Sequence, residues 1–336
     1  MINNSNKYPP IPARDSGGGF QINNPDDITP IRAMFPLNNM LLMITDKCTY
    51  KMRLADQIDP ERQNPTLPPN VQQKVFDHGI ESELLCRTLL QANVMFRKEF
   101  LSIEIDKAKQ SSFDALGDLI AMHEATQTFK VTEKTAIEKM HLLEKKDRSL
   151  TIPAVGNVQS HCKNFSQKAD HFAKSLMDVV RLFYSDMKKK NWEDLQQLVK
   201  SQYGEEDPFY NVLKIVIPIL KLVRETRNCL DKANLNGVQV RDFELEKDGS
   251  ISVPTIMVNF RGCIQERCSI SSFMENITLT LLDAFEMIIV HMSSKCMKPL
   301  AGFPMTIGFL PENYESWYVR FAYGTYNKDG HFMPCG

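Results

Sequence analysis

The sequence predicts a mainly helical fold of the α+β class, an antiparallel helical bundle with small antiparallel β-hairpins in its C-terminal third. Three observations predict it. Between residues 70 and 231 apolar side chains recur at helical spacing over several long stretches. After residue 236 the pattern turns to strict alternation on either side of one further apolar helix. Nowhere do strands alternate regularly with helices, as a parallel nucleotide-binding sheet requires.

The first 69 residues stand apart. Pro9, Pro10, Pro12, Pro25, Pro30, Pro36, Pro60, Pro65, Pro68 and Pro69 fall here, with "SGGGF" at 16 to 20. Proline fixes φ and removes a backbone donor, so a long helix or a central strand is not expected. Residues 1 to 30 read as an extended leader and 31 to 69 as short packed pieces around "MFPLNNMLLMI". The glycines at 17 to 19 lack a preceding strand and a following Lys-Ser/Thr, and read as flexible chain rather than a phosphate loop. Residues 70 to 336 form the bundle with its appended hairpins, with a sub-boundary near 236.

Helical spacing places Leu85, Leu89, Ala92, Phe96 and Phe100 on one stripe, then Phe113, Leu116, Ile120 and His123 on another. His123 reads as a core histidine. After the charged stretch 132 to 149 and the break "LTIPAVGN", a long helix carries Phe165, Ala169, Phe172, Leu176, Val179, Phe183 and Met187. Its end takes "KKK" at 188 to 190, where positive charge suits the helix dipole. "WEDLQQLVKSQY" is a shorter helix closed by Gly204. The next opens with Asp207 as N-cap and Pro208 at the first helical position, and Pro218 is expected to kink it. Its buried stripe runs Phe209, Val212, Val216, Leu220, Val223, Arg227, Leu230. "VQVRDFELEKDGSISVPTIMVNF" is a hairpin turning at "KDG", with Ile256, Val258 and Phe260 on one face. A helix follows in "SSFMENITLTLLDAFEMIIVHM". Two final strands alternate Phe303, Met305, Ile307, Phe309 and Trp317, Val319, Phe321, Tyr323.

Composition narrows the function classes. Over 336 residues, 40 Lys and Arg balance 41 Asp and Glu, so any attraction to nucleic acid must come from a local patch. The eight cysteines form no C-x-x-C pair, and "CIQERC" lacks a second ligand cluster, so they read as buried reduced thiols. The seven histidines share no i, i+4 face, and neither a metal nor a cofactor is expected. The N-terminus resembles no secretory signal, and the most apolar run, "NVLKIVIPILKLV", is interrupted by Lys214 and Lys221. A cytoplasmic protein without a membrane partner is expected. No G-x-S-x-G, H-E-x-x-H, Walker or kinase motif occurs.

One stretch carries candidate chemistry, "RETRNCLDKAN" at 224 to 234. Arg227 lies on the apolar stripe of its helix, where an unpaired charge costs several kcal/mol (roughly 3 to 5). Three arrangements can resolve this. Arg227 can pair with Asp231 one turn on. It can meet a phosphate at a bundle or dimer seam, helped by Asn228, Arg224 and Lys232. It can also bond strand carbonyls of the following hairpin.

A late bundle helix ending in Arg-Asn before a hairpin resembles the HEPN superfamily of helical domains, many of them metal-independent ribonucleases. In that family Arg, often followed by Asn, precedes a His by a short spacer, and the site is completed across a dimer. The resemblance implies candidate catalytic residues Arg227, Asn228 and Lys232, and candidate phosphate or partner contacts Arg224, Arg227 and Lys232. The sequence departs from the pattern at the histidine. Lys232, Ala233 and Asn234 occupy the positions where it would stand. A lysine with an ordinary pKa near ~10.4 is a poor proton shuttle at neutral pH, though it can bind phosphate as a point charge. The expectation is a HEPN-like protein that binds RNA or a protein partner, with a homodimer and a phage-defence or toxin–antitoxin role as the resemblance implies. The alternatives are a ribonuclease with a substituted base, and a scaffold whose aromatic C-terminal segment (Trp317, Tyr318, Tyr323, Tyr326) anchors an interface.

Overall fold

The computed structural model describes residues 10–15, 22, 24, 25, 27–141, 149–189, 191–232, 236–299, 304–311, 314 and 318–335. With 49% of the chain helical and 20% in strands, the fold is mixed α+β. It divides into two compact units, residues 1–86 with 315–318, and residues 87–314 with 319–336.

The first unit holds a one-turn helix α1 (Pro12–Asp15), strands β1 (Ala33–Leu37), β2 (Met40–Ile44) and β3 (Thr49–Leu54), a short helix α2 (Ala55–Ile58), strand β4 (Asn70–Phe76) and the turn α3 (Glu83–Leu85). The four strands form one antiparallel sheet in the order β1, β2, β3, β4. This corrects the expectation that the proline-rich segment carries no central strand and that helix begins at 70. The prolines avoid the two inner strands: Pro36 lies on edge strand β1, where a missing N–H breaks no inner ladder. On one face Met43, Cys48, Tyr50 and Met52 form a buried cluster under Ile22, Ile31 and Leu41.

The leader is therefore packed where it is described. Asp27 is buried and accepts hydrogen bonds from the hydroxyls of Thr29, Thr45 (2.6 Å) and Tyr50 (3.0 Å). Burial alone would raise its pKa, but these bonds together outweigh it and bring the carboxyl down to about 2. Arg14 in α1 reaches Asp56 (3.2 Å), Asp59 (2.9 Å) and the Asn64 carbonyl (2.6 Å). The triple glycine lies outside the described residues.

The unit boundary falls within a π-helical turn (Cys86–Leu90), and the second unit continues with α4 (Gln91–Met95), α5 (Ile105–His141), α6 (Val158–Phe183), α7 (Trp192–Tyr203) and α8 (Pro208–Asp231). Strands β5 (Val238–Arg241), β6 (Glu244–Leu245), β7 (Ile251–Ser252), β8 (Thr255–Phe260) and β9 (Cys263–Ser269) precede α9 (Ile270–Lys295). Strands β10 (Thr306–Phe309), β11 (Phe321–Tyr326) and β12 (Phe332–Pro334) close the chain. Helices α5, α6, α8 and α9 pack on one another around Phe165, Phe172, Leu176, Leu220, Leu281 and Phe285, all buried. Among the described residues no helix is long and apolar enough to cross a membrane.

Local capping is plain in the helices, at Asp207 as expected and at two further residues that the sequence reading did not name. Asp207 caps α8 by accepting from the Phe209 N–H (2.9 Å), Asn191 caps α7 and Ser269 caps α9. The α8 helix continues through Pro218 to Asp231. The predicted hairpin forms: β5 pairs with β8, β6 with β7, and Gly249 takes the positive φ its turn requires. β9, not anticipated, adds beyond β8 and leads into α9.

Three expectations are corrected. Leu85, Leu89, Ala92, Phe96 and Phe100 are all buried, but not on one helix, because α4 ends at Met95 and Phe100 lies in a turn. α6 stops at Phe183, so Lys188 and Lys189 lie beyond its end instead of on its last turn. Tyr323 is no interface anchor: it is buried, stacks on Phe100 at 3.9 Å and donates its hydroxyl to the Met95 carbonyl at 2.8 Å. Tyr326 is exposed, and Trp317 lies outside the described residues. The eight cysteines are all free, four of them buried.

Sequence reading missed the polar centre of this unit. Glu286, with no exposed surface, receives Arg87 Nε at 2.8 Å and Arg320 Nε at 3.0 Å, and Arg87 also pairs with Asp283. Beside it the Gln91 amide accepts the N–H groups of Arg320 and Phe321 and donates to the Phe321 carbonyl at 2.9 Å. A side chain thus substitutes for a strand neighbour at the start of β11.

Candidate functional site

The candidate site is the C-terminal turn of α8 where it lies against α6. Two apolar stripes bring these helices together, Phe165, Ala169 and Leu176 on α6 and Leu220, Val223 and Leu230 on α8. Arg227 follows Val223 on that stripe, so its stem packs at the seam while a third of its side chain stays exposed. Its Nε lies 2.9 Å from Asp231 Oδ2 and 4.0 Å from Asp170 Oδ2, and its Nη1 donates to Asn228 Oδ1 at 3.0 Å. The Nε is buried and points off the line needed to donate to Asp231, so this contact is an ion pair without a hydrogen bond.

α6 completes the cluster with residues that a motif search on α8 does not reveal. Lys163 Nζ reaches Asp231 Oδ1 at 3.1 Å, the Gln167 amide donates to the same oxygen at 3.2 Å, and Lys174 Nζ pairs with Asp170 at 2.7 Å. A signal for them exists in the sequence: Lys163, Gln167, Asp170 and Lys174 recur at i, i+3 and i+4 along one side of α6. Burial would raise the Asp231 pKa, but the bonds from Lys163 and Gln167 and the charges of Arg227 and Lys163 hold it below the ordinary carboxylate value. Asp231 is a permanent anion beside Arg227 at neutral pH.

The structure does not gather all the predicted residues at one point. Arg227 and Asn228 meet directly. Arg224 turns to the neighbouring face of α8 and pairs with Glu225 at 3.3 Å. Lys232 stands exposed at the helix C-cap, its N–H bonded to the Cys229 carbonyl at 3.3 Å. Ala233 and Asn234 lie outside the described residues. Of the three arrangements open to Arg227, the pairing with Asp231 is present, and among the described residues its guanidinium bonds no strand carbonyl.

These contacts limit the chemistry. Two carboxylates oppose the charge that Arg227 would turn toward a phosphorane, and among the described residues no histidine contacts it. His161 packs edge-on against Phe129 and His291 stacks on Phe209. Among the described residues, no three His, Cys, Asp or Glu side chains are placed to hold a metal ion. A cleft of about 360 Å³ adjoins the end of α8, lined by Gln159, Leu230 and residues 238 to 241 of β5. Directly after β5, the Asp242 carboxylate accepts from the Val155 and Gly156 N–H groups at 3.0 and 2.9 Å. Compared with family models, characterised proteins and solved structures, the chain finds no match.

Proposed function

We propose that this chain is a HEPN-like cytoplasmic protein that binds RNA without cleaving it, with α5, α6, α8 and α9 as an antiparallel bundle and the end of α8 as the contact site. The observation that carries the reading is the Arg227 side chain. It sits at a helix end just before a hairpin, bonded to Asn228, with its charge offset by Asp170 and Asp231. Such an arginine is positioned and partly exposed, which suits a contact to phosphate. It is also neutralised and lacks a proton-transfer partner, which suits catalysis poorly. Lys163 and Lys174 pair with these same carboxylates, so Arg227, Lys163 and Lys174 against Asp170 and Asp231 leave one net positive charge, to which exposed Lys232 adds. A role in defence against phage or in a toxin–antitoxin pair is consistent with this reading.

The test is incubation of the protein and of Arg227→Ala with total RNA in EDTA, alongside filter binding over a salt series. The proposal expects retention of RNA with steep salt dependence, no cleavage, and weaker retention by Arg227→Ala. Cleavage by the unmodified chain alone would make the site a ribonuclease centre. Neither cleavage nor retention would move the reading to a protein partner.

A further inference from the structure

On the face of α8 that turns from α6 toward β8 and β9, a second cationic site is built around one buried carboxylate. Glu225 is 5% exposed and its two oxygens are shared between two arginines from different elements. Oε1 receives Arg224 Nε at 3.3 Å, and Oε2 receives Arg261 Nη1 at 3.4 Å. The arginines themselves remain accessible, with side chains 42% and 62% exposed. Two arginines thus share one buried carboxylate. Lys221 lies one helical turn before Glu225.

The position of Arg261 sharpens the point. It is the first residue of the two-residue turn between β8 and β9, with φ 50, followed by Gly262 at φ 78. Positive φ at both positions defines a turn that favours Asn-Gly or Gly-Gly and disfavours a long side chain. An arginine here sits against local backbone preference. Its guanidinium lies 5.0 Å from the Phe260 ring centre, which together with Glu225 holds it beside Arg224. Nη1 and Nη2 of Arg224 and Nε and Nη2 of Arg261 have no acceptor among the described residues.

We infer that Arg224 and Arg261, braced from behind by Glu225, form a binding site for a phosphate group, contacting a second phosphodiester of the RNA strand held at Arg227. A buried carboxylate behind two arginines orients their forks and leaves a net positive charge in front. That matches a phosphodiester, which accepts from paired N–H groups. The RNA source of the phosphate rests on the proposed function; the phosphate site itself does not.

The experiment compares the full chain with Arg261→Asn, a substitution that suits the turn better and leaves Arg224 as the partner of Glu225, with the variant's fold checked by circular dichroism. RNA binding is measured over a salt series, and melting temperature is measured with and without inorganic pyrophosphate. The expected result is a several-fold weaker RNA affinity for Arg261→Asn and a log–log salt slope smaller by about 1. Pyrophosphate should stabilise the unmodified chain and not the variant. RNA bound equally by both, with equal slopes, would overturn the inference and leave the proposed function standing. Pyrophosphate protection of the unmodified chain alone, without RNA binding by either, would keep the phosphate site and remove RNA as its source. No RNA binding by the unmodified chain together with no pyrophosphate protection would overturn both.

Discussion

Replacing Arg227 by Ala separates a contact residue from a packing residue, because the structure predicts a small cost in stability. The guanidinium pairs with Asp231 at 2.9 Å, but both side chains are partly exposed, and such pairs contribute about 0.5 to 1 kcal/mol. Neither carboxylate is stranded by the change. Asp231 keeps Lys163 at 3.1 Å and Gln167 at 3.2 Å, and the more buried Asp170 keeps Lys174 at 2.7 Å. The loss of packed stem brings the total to roughly 1 kcal/mol, or a fall of about 2 to 4 °C in melting temperature. RNA binding should respond more, with the salt slope reduced by about 1 through loss of one phosphate contact. Circular dichroism melts and filter binding on one preparation measure both. A melting temperature lower by 10 °C or more would show that Arg227 serves the fold. An unchanged affinity in a folded variant would remove the motif from the contact surface.

Further outcomes follow from other buried groups. Glu286→Gln leaves Arg87 and Arg320 facing a neutral amide, but Arg87 keeps Asp283 and Arg320 is 41% exposed, so the cost in urea unfolding should be about 1 to 3 kcal/mol, and no measurable cost would show that both arginines relax to solvent. Asp27 titrates near 2 in the folded chain and about 3.9 when unfolded, so its contribution is present above pH 4 and lost as pH falls toward 2. Asp27→Asn should therefore remove about 2 kcal/mol from the first unit at pH 7 and flatten the acid limb between pH 4 and 2; an unchanged limb would show that other carboxylates set it. A Cβ at Gly79 would meet the Thr45 carbonyl oxygen and the Asp46 backbone at distances real Cβ atoms do not show, so Gly79→Ala should cost about 1 to 3 kcal/mol, and an unchanged melt would show that the turn shifts freely.

Much of this was legible in residue order. The 3.6 period located α6, α7, α8 and α9, because burial of one face selects apolar residues at that spacing whatever the partner. Asp207, Gly204 and the "KDG" turn act through bonds or dihedrals within a few residues and needed no tertiary context. The same logic failed at residues 33 to 76. There the number of prolines argues against strands, but whether a proline breaks a ladder depends on its place at an edge or inside the sheet, and that is set by strand pairing. Phe96 and Phe100 kept the expected burial without the expected helix, since a turn can deliver an apolar side chain to the same core.

The candidate site divides in the same way. Residue order alone placed Arg227 on a buried stripe at a helix end, beside Asn228 and ahead of a hairpin, and showed that no histidine follows at the spacing the resemblance calls for. Only the tertiary structure decided what Arg227 touches. Asp170, Lys163 and Lys174 come from a helix some sixty residues earlier, and Arg261 reaches Glu225 from a hairpin turn beyond it. Charge pairing acts through space at a few ångströms, so it is fixed by which faces pack together, and periodicity along one helix cannot name the partner's charges.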